Sequence, residues 1–73
     1  MTTYYNRHEL IDFLVSIGGD DESSMANDVL TRCLKDKVTR NGTDYISHTS
    51  LEKVLHPYTM QSIKAVGLTS FQA

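Results

Sequence analysis

The chain has 73 residues, 40% hydrophobic and 22% charged, with a formal net charge of −2. That composition excludes wholesale disorder, and no apolar run approaches the roughly 18 residues a membrane span requires. With no Lys/Arg-led apolar leader and one cysteine, Cys33, the expectation is a cytoplasmic domain with a reduced thiol and no intrachain disulfide.

Residues 1–73 read as a single small domain, with ends expected to fray over about 1–5 and 69–73. Domains of this size bury only roughly 60% of their unfolded surface, so they are marginal alone. With disulfides excluded, oligomerisation is the expected remedy. Acidic residues gather in the first half, at Glu9, Asp12, Asp20, Asp21, Glu22, Asp28 and Asp36, and the second half is weakly basic. Neither excess is large, which argues against a strongly basic nucleic-acid binder.

Met1–Tyr5 is a polar, aromatic leader. Asn6 then reads as an N-cap with Glu9 three residues on, opening a helix over about Arg7 to Ile17. Its apolar residues, Leu10, Ile11, Phe13, Leu14, Val15 and Ile17, cover about half the circumference, more than one buried face needs. Gly18-Gly19 ends it. Asp20, Asp21 and Glu22 suit the positive start of a second helix, from about Glu22 to Lys35. That helix carries Met25, Ala26, Val29, Leu30, Cys33 and Leu34.

The next stretch supports two readings. Asn41-Gly42 between Val38-Thr39 and Tyr45-Ile46 suits a short β-hairpin with a type I′ turn. The preferred reading is a loop that tucks Tyr45 and Ile46 into the core, because hairpin arms of about four residues are marginal on their own. A third helix starts near Ser47–Thr49, with Ser47 or Thr49 as cap, and lines Leu51, Val54, Leu55 and Tyr58 on one face. Pro57 kinks or breaks it. The last helical segment, Tyr58–Val66, ends at Gly67, and Thr69–Ala73 is left as a tail.

These readings predict a mostly α, small three-helix domain, the third helix kinked or broken at Pro57. The predicted core is Leu10, Phe13, Leu14, Ile17, Met25, Val29, Leu30, Cys33, Leu34, Leu51, Val54, Leu55 and Ile63.

Chemistry-bearing patterns are sparse. His8, His48 and His56 have no metal-ligand spacing. Cys33 sits mid-stripe and reads as an inert core thiol. Asp20, Asp21 and Glu22 are accounted for by helix capping. An EF-hand around Gly42 would place Lys37 and His48 at ligand positions, which excludes it. Arg32, Lys35, Lys37 and Arg40 form the one basic cluster, diluted by Asp36 and Asp44.

The run Leu10–Glu22, then Met25–Leu34, then Leu51-Glu52, with Glu22-Ser23 opening the second helix, is similar in spacing to small enterobacterial regulators of biofilm and acid resistance. The resemblance covers about two thirds of the chain and implies an all-α dimer. The chain departs from it at Pro57 and Asn41-Gly42, and no functional residue carries over.

The expected function is a non-enzymatic regulator, adaptor or inhibitor. It would act through apolar helix faces on a second copy of itself, a larger protein, or both. Ile11 and Val15 at one edge of the first stripe are the candidate contacts, with Tyr4 and Tyr5 either as anchors or folded back over the core. The alternative is a DNA-binding regulator using Arg32, Lys35, Lys37 and Arg40. No cofactor, metal or membrane partner is expected.

Overall fold

The chain begins as a strand, where the sequence predicts a frayed leader. In the computed structural model, which describes residues 1–17, 26, 29 and 31–73, β1 spans Thr3–Asn6 and runs directly into α1, Arg7–Ile17. Asn6 serves both elements. It is the last strand residue, and its Oδ1 accepts the Glu9 N–H at 3.0 Å, satisfying a donor that the first helical turn leaves orphaned. Of the expected second helix, Ala26, Val29, Thr31 and Arg32 are helical, and its end tightens into a 3-10 turn, Leu34–Asp36. Gly18-Gly19, the Asp20–Glu22 cap, Met25 and Leu30 lie outside the described residues.

The hairpin forms. β2 (Val38–Arg40) and β3 (Thr43–Ser47) pair antiparallel, with Arg40 opposite Thr43 across the turn. Asn41 and Gly42 have φ of 54° and 79°, the two left-handed residues of a type I′ turn. β3 then pairs with β1, Tyr5 opposite Ile46. On its other side β1 takes β4, Ser70–Gln72, with Tyr4 opposite Phe71. The result is a four-stranded antiparallel sheet in the order β2-β3-β1-β4.

Two helices connect β3 to β4. In α2 (His48–Glu52), the cap Ser47 accepts the Ser50 N–H at 3.1 Å. α3 (Pro57–Val66) opens with Pro57 in its first turn, where the missing N–H costs nothing. His56 Nδ1 accepts the Tyr58 N–H at 3.2 Å, and Gly67 closes the helix at φ 75°. Pro57 thus separates two helices rather than kinking one.

The mostly α three-helix domain predicted from the sequence is therefore wrong, as is the all-α architecture that the resemblance implies. A sheet organises the chain. Its two terminal strands are only a few residues long and find each other from opposite ends of the sequence, so no local periodicity announces them. Residues 3–5 and 70–72, within the stretches expected to fray, are instead held in that sheet.

One face of the sheet builds the core. Tyr5 and Ile46 meet Leu10 and Leu14 of α1, Val29, Cys33, Leu51 and Leu55, and Met60 and Ile63 of α3. Each large aliphatic side chain buried this way contributes about 1.5–3 kcal/mol. Tyr5, Ile46 and Met60 were not among the predicted core. Phe13, Leu34 and Val54 are half-buried at its margin, and Ile17, expected inside, is 45% exposed. Tyr58, expected on the buried face of the third helix, is 75% exposed. Among the described residues, no helix is long and apolar enough to cross a membrane.

Candidate interaction site

Strand alternation sends Tyr4, Tyr45 and Phe71 to the sheet face opposite Tyr5 and Ile46. There the rings meet. Tyr4 stacks on Phe71 with centroids 5.1 Å apart, and Tyr45 approaches Phe71 edge-on at 4.7 Å. The Arg40 guanidinium carbon sits 4.4 Å from the Phe71 centroid. Each strand gives one member: Arg40 from β2, Tyr45 from β3, Tyr4 from β1 and Phe71 from β4. Such pairs contribute about 0.5–1.5 kcal/mol each beyond area burial, and an exposed cation–π contact about 0.5–1 kcal/mol. The cluster covers itself, since all three rings are half-buried against one another. Tyr4 is thus engaged within the chain, and so is Arg40.

Tyr5, the other proposed anchor, is in the core. Its hydroxyl lies 2.9 Å from His48 Nδ1, and His48 Nε2 lies 2.7 Å from Glu52 Oε1. A carboxylate only accepts, so Nε2 carries the imidazole proton, and Nδ1 is free to accept from the phenol. Burial, and then the Glu52 charge, push the Tyr5 pKa up. The phenol stays protonated, the opposite of what an activated nucleophile needs. The chain of hydrogen bonds fastens α2 to β1. It borders a groove of about 280 Å³ walled by Leu55, Pro57, Met60, Gln61 and Lys64.

On α1, Leu10 and Leu14 face the core. The rest of the apolar stripe flanks them on both sides, Phe13 and Ile17 on one, Ile11 and Val15 on the other. Ile11 is half-buried and packs on the core margin; Val15 is 37% exposed. Of the four residues proposed for partner contact, Val15 is therefore the one left on the surface, with Ile17 beside the same helix end.

The basic cluster is split. Lys37 Nζ pairs with Asp44 Oδ2 at 3.3 Å, and Thr39 Oγ1 donates to Asp44 Oδ1 at 2.8 Å. The Thr39 hydrogen bond, then Lys37, hold the Asp44 carboxyl below its usual pKa. Arg40 lies on Phe71. Arg32 and Lys35 instead line a cleft of about 320 Å³ together with Lys53, Asp36, Ser50 and Val54. Lys53 was missed because it sits at the end of a different helix, remote in sequence from the cluster.

Cys33 is buried, and its thiol donates to the Ser50 carbonyl at 3.6 Å. Burial, then Asp36, raise its pKa, which leaves it an unreactive thiol. Among the described residues, no three His, Cys, Asp or Glu side chains converge as metal ligands. Comparison with protein-family models, with curated proteins and with solved structures gives no match.

Proposed function

We propose that this chain is a small non-enzymatic interaction protein, a regulator, adaptor or inhibitor, that docks through the uncovered flank of α1. The contact is made first with a second copy of itself, and a larger protein partner uses the same surface. The observation that carries the reading is the exposure of Val15, beside the half-buried Ile11, on one flank of a helix whose centre is already buried. An apolar helix flank beside a packed core is the surface that helix-in-groove recognition uses. The free thiol Cys33 suits a reducing compartment such as the cytoplasm.

The test is light scattering across a concentration series, from about micromolar to about millimolar, which spans weak to moderate dimer affinities. The wild-type chain is expected to associate. Val15→Glu, at an exposed position, is expected to stay monomeric with an unchanged far-UV circular dichroism spectrum. A wild-type monomer throughout that range, or dimers that Val15→Glu leaves intact, removes this reading.

A further inference from the structure

We propose that the cleft between the end of the second helix and α2 is an anion site for the phosphodiester backbone of a nucleic acid. Arg32, Lys35 and Lys53 line it, and all three are exposed. Among the described residues none of the three forms an ion pair. Among the described residues the one carboxylate in the cleft, Asp36, is engaged at 3.4 Å by the Ser50 hydroxyl. Ser50 is itself buried and held by Ser47, so Asp36 has a fixed neighbour rather than a free rim position. The cleft therefore concentrates positive charge on a chain whose net charge is negative.

Two features favour a nucleic-acid backbone. The three cations stand on an open rim, suited to successive hydrated phosphates rather than to one stripped ion. The planar Arg32 guanidinium can bind a phosphate through two parallel hydrogen bonds while the lysines act as point charges. An acidic peptide would need apolar anchor pockets, and among the described residues Val54 is the sole hydrophobic residue in the lining. The site does not depend on the α1 flank, so it stands or falls separately. It also differs from the sequence-based cluster: Lys37 and Arg40 drop out, engaged by Asp44 and Phe71, and Lys53 enters.

The experiment is fluorescence anisotropy with a labelled DNA duplex of about 20 base pairs at rising salt. Three phosphate contacts give a log–log salt slope of about −2.7, which is about 40-fold weaker binding between 50 and 200 mM salt. Arg32→Ala, Lys35→Ala and Lys53→Ala should each reduce that loss to about 12-fold, one contact fewer. Lys37→Ala should leave the slope unchanged. Asp36→Asn, which keeps an acceptor for Ser50, should tighten binding several-fold, a gain that misfolding cannot produce. Absent binding, a slope indifferent to the three cations, a Lys37→Ala effect as large as theirs, or weakened binding in Asp36→Asn overturns the proposal. An acidic peptide bound with the same three-residue dependence overturns its nucleic-acid assignment.

Discussion

Tyr5 shows how one hydroxyl ties two elements together. Its ring belongs to the core, and its oxygen reaches His48, which in turn holds Glu52. Tyr5→Phe keeps the ring and removes the partner of a His48 Nδ1 whose side chain is only 18% exposed. A largely shielded acceptor left unpaired costs about 1–2 kcal/mol, which in a domain of this length lowers Tm by about 4–8 °C per kcal/mol. Glu52→Gln should cost less, because an amide oxygen still accepts from Nε2. If Tyr5→Phe melts with the wild type in calorimetry, water already satisfies His48 and the tie is weak. Cys33 offers a second check at this scale. Buried and raised in pKa, it should react with a thiol reagent only as fast as the fold opens, and at the rate of a free thiol in denaturant.

The hairpin overturns the loop preferred from the sequence, yet its turn chemistry accounts for it directly. Asn-Gly is the residue pair that tolerates two consecutive positive φ angles, and both are observed. Gly42→Ala meets no atom within 4 Å, so its cost is conformational, about 1–2 kcal/mol by urea denaturation. A neutral substitution would mean that the turn relaxes to another type. The hairpin also carries a pH dependence. Thr39 and Lys37 hold the Asp44 pKa below its unfolded value, so its contribution is complete above about pH 4 and is lost as pH falls through the folded value. Asp44→Asn should therefore lower stability at neutral pH and flatten the acid limb of the stability profile. An acid limb identical to the wild type assigns the loss to other carboxylates, Glu9 first, whose pKa is lowered by its hydrogen bonds with Thr69.

Local signals were legible for physical reasons. Asn6, Ser47, Pro57 and Gly67 act within one turn of where they stand, and each occupies the cap or first-turn position that its chemistry favours. The same locality explains the failures. Nothing within a few residues of Tyr4 or Phe71 tells that the two stack, and chain ends are read as frayed unless a partner is known. Read as part of a leader, Tyr5 has no more reason than Tyr4 to enter the core; alternation places them on opposite faces only once the segment is a strand. Of the basic cluster, the hairpin carried Lys37 and Arg40 away from Arg32 and Lys35, and Lys53 came in from α2.

At the scale of the molecule, the sheet is completed by joining the two chain ends. Thr2 and Ala73 exchange backbone hydrogen bonds at 2.8 and 3.0 Å, and the Asn6 N–H donates to the Thr69 carbonyl at 2.8 Å. Phe71 then contacts Tyr4, Tyr45 and Arg40, so one ring bridges every strand. Phe71→Ala keeps the backbone ladder and loses the ring, a cost of about 2 kcal/mol at a half-buried aromatic site. Removing residues 69–73 does something different in kind. It turns β1 from an interior strand into an edge, with the backbone groups of Thr2, Tyr4 and Asn6 unpaired, and an exposed edge invites pairing with another chain. The truncated chain should therefore associate by strand addition. Val15→Glu, which is expected to abolish association of the intact chain, should not suppress it. Light scattering of the truncation with and without Val15→Glu separates the two surfaces. If Val15→Glu returns the truncated chain to a monomer, the helix flank governs both associations, and β4 is not what keeps β1 from pairing.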